Sequence, residues 1–155
     1  MNLEELSAEV QRLKDIETIK QMTNNYGYFI DSGNWQGMVT LFTKDCYYHS
    51  GFGEYKGSEG IIRFFRDELP PSFSFTAHMV HNPNVTVSGD KAKGQWYSEV
   101  AATHAPSHRA LWLLARYNAE CVRVGGEWKF QRFVCTILYD TPFDEGWVKT
   151  KSFLK

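Results

Sequence analysis

The sequence predicts an α+β domain: a cone-shaped α+β barrel in which one curved antiparallel sheet wraps around N-terminal helices. Apolar residues recur at helical spacing through the first third of the chain. Four long strand-like runs follow, and turn signals at Gly89-Asp90 and Gly125-Gly126 join them in pairs. Helices first and strands afterwards is the segregated order of α+β folds. A strongly curved sheet around a helix leaves an open mouth, and such a mouth is a natural pocket.

Leu3, Leu6, Val10 and Leu13 open a helical stripe that Ile16, Ile19, Met22, Tyr26, Phe29 and Ile30 continue. The opening stretch keeps a/d spacing for under two heptads. It could cap the domain or pair with a copy of itself, and it is too short for a coiled coil. Ser32-Gly33 breaks this helix, and Asn34 is placed to cap a second, short one carrying Trp35, Met38, Leu41 and Phe42. Residues 45–56 read as extended. Ser58 is placed to cap a third helix, whose inward residues are Ile61, Ile62, Phe64, Phe65 and Leu69, and Pro70-Pro71 ends it. Strands are predicted over residues 73–88, 91–104, 109–124 and 127–139. Lys91, Lys93 and Gln95 alternate with Ala92, Gly94 and Trp96, one wet face and one dry. The tail after Pro142 has no clear pattern.

At 155 residues the chain reads as one domain, 1–155, with its core over about 8–140. Folding at this size buries roughly 70% of the unfolded surface. Seventeen basic against 18 acidic side chains leave a net charge of -1, without the basic footprint of nucleic-acid binders. No apolar run approaches the ~20 residues that span a bilayer. Glu4, Glu5, Glu9, Asp15 and Glu17 stand where a signal peptide would be apolar, so the expected location is the cytoplasm. Cys46, Cys121 and Cys135 are too few and too scattered for a disulfide scaffold or a zinc site. A tight turn at Gly125-Gly126 sets Cys121 opposite residue 130 and Cys135 opposite residue 116, so they are not partners. Aromatic residues make up 15% of the chain, which suits core packing or a cavity for a hydrophobic, cyclic ligand.

Few polar residues interrupt the apolar faces. Asp31 follows Phe29 and Ile30 at the end of the first helix, as a helix-terminal aspartate or a functional one. His78 lies mid-strand, as a core histidine or a catalytic one. His78 and His81 point to opposite faces of a regular strand, which argues against a shared metal. Pro83 cannot donate to a ladder, so a bulge is expected near residues 81–84. One bulge residue brings Val100 opposite His78, with His104 further towards one rim. His104 and His108 flank Pro106 in a hairpin connection.

Several stretches resemble the SnoaL-like branch of the nuclear transport factor 2-like superfamily: Tyr26-Gly-Tyr-Phe-Ile-Asp31-Ser-Gly-Asn-Trp35, Tyr55-Lys-Gly57, Thr76-Ala-His78-Met, Gly94-Gln-Trp96-Tyr and Gly126-Glu-Trp128. The resemblance covers roughly residues 8–140. It extends to that branch's bile-acid dehydratases, scytalone dehydratases and hexachlorocyclohexane dehydrochlorinases, which use an aspartate–histidine dyad. It implies Asp31 and His78 as that dyad and Tyr26 as an accessory tyrosine. His104 corresponds to a second histidine of the scytalone enzymes only with a two-residue offset. Val100 and Ile137 stand where the bile-acid enzymes carry an acidic residue and an arginine, which puts a bile-acid substrate in doubt.

The activity this implies is a cofactor-independent, metal-free lyase of the dehydratase type, acting on a hydrophobic cyclic substrate such as a steroid or polyketide. His78 is the general base, Asp31 its orienting partner, and Tyr26 or Tyr48 a hydrogen-bond donor to the oxygen that gains charge. Tyr48 is picked on strand parity, and His104 is a further acid candidate. An isomerase or polyketide cyclase with the same dyad, or a non-catalytic binding module, are the alternatives. A homodimer or homotrimer is expected, with no nucleic-acid or membrane partner.

Overall fold

The computed structural model describes residues 2–155. Helix α1 spans Leu3–Ser32. At its start the Asn2 side chain accepts from the Glu5 N–H at 2.9 Å, and Glu5 Oε2 accepts from the Asn2 N–H at 2.9 Å. At its end Gly33 sits at φ 66 and donates its N–H to the Ile30 carbonyl. Asn34 caps α2 (Trp35–Thr40), as expected, by accepting from the Gly37 N–H at 2.9 Å.

The extended stretch resolves into two strands, β1 (Phe42–His49) and β2 (Glu54–Lys56). Phe42 therefore opens a strand rather than closing α2. The third helix, α3 (Gly57–Arg63), runs on into a π-helical turn over Phe64–Glu68. Ser58 does not cap it. The helix begins one residue earlier, where Gly57 turns the chain at φ 70 with the Lys44 carbonyl 3.1 Å from where a Cβ would stand.

Four long strands follow: β3 (Phe73–Ser88), β4 (Lys91–His104), β5 (Arg109–Val124) and β6 (Glu127–Pro142). A short helix, α4 (Gly146–Lys149), interrupts the tail. The six strands form one unclosed sheet in the order β2-β1-β6-β5-β4-β3, antiparallel throughout except for β1 against β6. The sheet curls around α1, which packs chiefly on β3.

Pro83 has its expected effect. The β3–β4 ladder shifts between His81 and Asn84, Asn82 turns at φ 52, and His78 pairs with Val100. In the β5–β6 ladder Cys121 pairs with Phe130, as predicted, but Cys135 pairs with Tyr117 rather than residue 116. An unpredicted bulge between Glu120 and Cys121 moves the register by one.

The core lies between the helices and the concave face of the sheet. Ile19, Tyr26, Ile61, Phe65, Phe130 and Phe133 are among its fully or almost fully buried members. The opening stripe of α1 does not cap the domain: Leu3, Leu6, Val10 and Leu13 are 81, 45, 42 and 53% exposed. No helix among the described residues is long and apolar enough to cross a membrane.

Candidate active site

Asp31 occupies the last turn of α1 and faces β3. One turn earlier stands Gly27, where an added Cβ would meet the His78 Cβ at 3.1 Å. The missing side chain lets helix and strand approach closely enough for their polar groups to meet. His78 Nδ1 lies 2.6 Å from Asp31 Oδ1. The His78 backbone N–H donates to Asp31 Oδ2 at 2.8 Å, and the Thr76 hydroxyl donates to Oδ1 at 2.9 Å. The two side chains are only 11% and 23% accessible.

Burial alone would raise the Asp31 carboxyl. The bonds from the His78 ring, the His78 backbone and Thr76, together with the nearby imidazole, more than offset this and hold it below the usual carboxylate range. An ionised Asp31 accepts a proton-bearing Nδ1, which leaves Nε2 of the neutral ring with its lone pair.

The His78 ring lines a mostly apolar cavity of about 70 Å³ at the centre of the cone. Tyr26, Tyr48, Phe65, Val100, Leu113 and Tyr117 form much of its wall. Tyr26 and Tyr48, 2% and 1% exposed, share one hydrogen bond between hydroxyls at 2.7 Å. Burial pushes both phenols, and Tyr117, well above their ordinary range, so they stay protonated near neutral pH. Cys135 also faces the cavity, with its thiol pushed up to about 12 by burial. All three cysteines are free and buried.

Of the five residues singled out in the sequence, the structure gathers four. Asp31 sits behind His78, while His78, Tyr26 and Tyr48 line the cavity. His104 stands apart. It lies four residues along β4 from Val100, about 13 Å at strand spacing. Its Nδ1 is 2.7 Å from the Ser107 hydroxyl, and its ring meets Phe153 edge-on at 5.4 Å. His81 faces away from the cavity, 3.6 Å from Glu99. No group of potential metal ligands occurs among the described residues. Sequence reasoning passed over Gly27 and the part Thr76 plays, although both lie inside the motifs it quoted. Tyr117 and Cys135 escaped it because their inward direction depends on the β5–β6 register.

The model of the SnoaL-like domain family matches residues 11–134, most of the chain. The chain belongs to the SnoaL-like domain family. Solved structures agree on the architecture. A type 2 hexachlorocyclohexane dehydrochlorinase (LinA) is 24% identical, with 87% of this chain and 93% of that one covered at a TM-score of 0.83. LinA type 3 from Novosphingobium barchaimii LL02 is 21% identical, covering 95% and 99% at 0.82. A provisionally named scytalone dehydratase from Novosphingobium aromaticivorans DSM 12444 is 19% identical, covering 92% and 95% at 0.76. At these identities the likeness is one of fold. This SnoaL-like chain carries it over nearly its full length.

Proposed function

We propose that this SnoaL-like protein is a cofactor-independent lyase that starts its reaction by taking a proton from carbon. The observation that carries the reading is the Asp31–His78 pair, with Nδ1 2.6 Å from the carboxylate and the ring on the cavity wall. Nε2 takes a proton made acidic by a neighbouring carbonyl or a good leaving group. The leaving group departs from the adjacent carbon. Asp31 stabilises the imidazolium that forms and holds the tautomer in which Nε2 is basic. Tyr26 or Tyr48, whichever is not donating to the other, donates to the oxygen on which charge develops, inside a wall of aromatic rings that excludes water.

The size of the cavity narrows the substrate. At about 70 Å³ it is smaller than the roughly 150 Å³ cavity that takes benzene. As it stands the space falls short of one ring, so a single ring seats beside His78 only where the wall gives way, and a whole steroid nucleus does not fit. The ring enters by displacing Phe52, which is 49% exposed on the loop between Gly51 and Gly53. The reading also includes self-association through the outer face of the sheet, where Phe75, Met79 and Tyr97 are 54, 38 and 40% exposed.

The test is deuterium exchange. Small cyclic ketones bearing a β-hydroxyl or β-halogen are incubated with the protein in heavy water and followed by NMR. Exchange or elimination at the carbon next to the carbonyl is expected. His78→Ala should slow it by about 10²- to 10⁴-fold. Exchange that survives His78→Ala undiminished overturns the reading.

A further inference from the structure

The inner cavity has a neighbour across its Phe52–Phe73 rim. Phe52, Phe64, Leu69 and Phe73 line it on one side and, on the other, a second hollow of about 460 Å³. The outer wall of that hollow is the chain beyond α4: Phe153, Leu154 and Lys155. This segment is fastened. Asp140, 3% exposed near the end of β6, accepts the Phe153 and Leu154 backbone N–H groups on one carboxylate oxygen, at 2.5 Å each. Its other oxygen accepts from the Ser152 hydroxyl at 3.1 Å. Phe153 and Leu154 pack on a small cluster that contains Val100, Ala102 and Leu113, themselves part of the inner wall. Phe52 and Phe73 form part of the partition between the two spaces. Their ring centroids lie 6.4 Å apart, the distance of rings in contact, so the pair closes the way until Phe52 moves. The far space also has a polar margin, with Glu68, Ser72, His104 and Lys155 beside its apolar floor.

We infer that the outer hollow is the second half of one elongated binding site and that Leu154 sets the length of ligand it accepts. The inference rests on the reading of the inner cavity as the reacting site. The substrate class it names is a ring that seats at His78, bearing a flexible apolar arm that passes where the half-exposed Phe52 swings off Phe73. The arm ends in a neutral polar group, a hydroxyl or carbonyl, at the polar margin. His104 then has a place at the end of the ligand remote from the proton transfer. Asp140 acts as a positioning residue through the backbone it anchors.

The experiment is a calorimetric titration of the full chain with phenylalkanols, from benzyl alcohol to 5-phenylpentanol. Affinity should rise about fourfold per added methylene until the hollow is filled. Leu154→Trp fills the outer hollow and replaces none of the residues that line the inner cavity. It should leave benzyl alcohol affinity unchanged and flatten the series. Leu154→Ala enlarges the hollow and should move the optimum to a longer arm. A flat series in the native protein, an unchanged slope in Leu154→Trp, or an unchanged optimum in Leu154→Ala overturns the inference. The same titrations on His78→Ala separate the two readings, because binding there should keep the native slope. A flat series alongside proton exchange that depends on His78 sinks the outer hollow alone. A rising series with no exchange on any ketone sinks the proposed lyase and leaves the elongated site standing.

Discussion

At the scale of single residues, the pair at the end of α1 makes two claims that can be measured apart. Asp31 has a folded-state pKa below its unfolded one, so the stability it contributes is whole above the ordinary carboxylate range. That contribution disappears as pH falls through the folded value. Asp31→Asn should therefore flatten the acid limb of the stability curve, read by denaturant unfolding between pH 2 and 6. It should also depress proton exchange at neutral pH, where the amide cannot stabilise the imidazolium. An acid limb identical to the native one would show that the carboxylate is not held in the way described. Gly27 gives the second claim. Gly27→Ala gains helix propensity worth up to about 1 kcal/mol, yet its Cβ would press on the His78 Cβ at 3.1 Å. Stability near the native value with turnover reduced at least tenfold is the expected result, because the displaced ring is the proposed base. Asp31 and His78 were legible as candidates because polar residues interrupt apolar stretches there. Gly27 was not, because a glycine within a helix looks the same whether it permits a contact or merely weakens the helix.

Between elements, the joint that ties α1 to the β5–β6 hairpin is a buried carboxylate. Asp15 is 5% exposed and accepts from Arg123 Nη2 at 2.7 Å, Trp128 Nε1 at 3.0 Å and Gln11 Nε2 at 3.1 Å. The Arg123 guanidinium lies 4.5 Å over the Trp128 ring. Asp15→Ala should cost about 1–3 kcal/mol by leaving the buried indole N–H without its acceptor. Urea unfolding measures it, and a loss under 0.5 kcal/mol would remove Asp15 as the joint. In sequence Asp15 was one acid among five in the first turns, since nothing local marks which of them meets a strand over a hundred residues later. The strand faces were more legible. Ala92, Gly94 and Trp96 read as a dry face, and the structure adds the reason for the glycine: a Cβ at Gly94 would stand 1.9 Å from the Trp96 indole. Registers divide in the same way. The β3 bulge announces itself through Pro83, whereas the bulge at Glu120 carries no proline or glycine and moved Cys135 by one partner unseen.

For the whole molecule, the order of helices and strands was enough to anticipate the cone, because a sheet this long must curve and its concave face needs a helix to bury. Its convex face carries the remaining question. Phe75, Met79 and Tyr97 present exposed apolar surface on strands whose other face is the cavity wall. Sedimentation velocity at micromolar protein should show an assembly larger than one chain, and Met79→Lys combined with Tyr97→Lys should shift it towards the monomer. A native protein that sediments as a single chain removes the proposed self-association without touching the cavity. The size of that cavity was beyond the sequence, because a share of aromatic residues does not reveal how much space their rings leave.

The Tyr26–Tyr48 contact carries one more consequence, which comes from counting hydrogens. Two hydroxyls hold two protons, and one hydrogen bond between them uses one. Neither hydroxyl has another partner among the hydrogen bonds of the described residues, so whichever phenol donates, the other keeps a proton to spare. Rotating the two O–H bonds, with no ring moving and no proton changing oxygens, passes the role of free donor from one tyrosine to the other. During an elimination, negative charge moves from the atom next to the departing proton towards the departing group. In the proposed elimination, a switch of this kind lets the donor follow the charge across the cavity while the aromatic wall stays still.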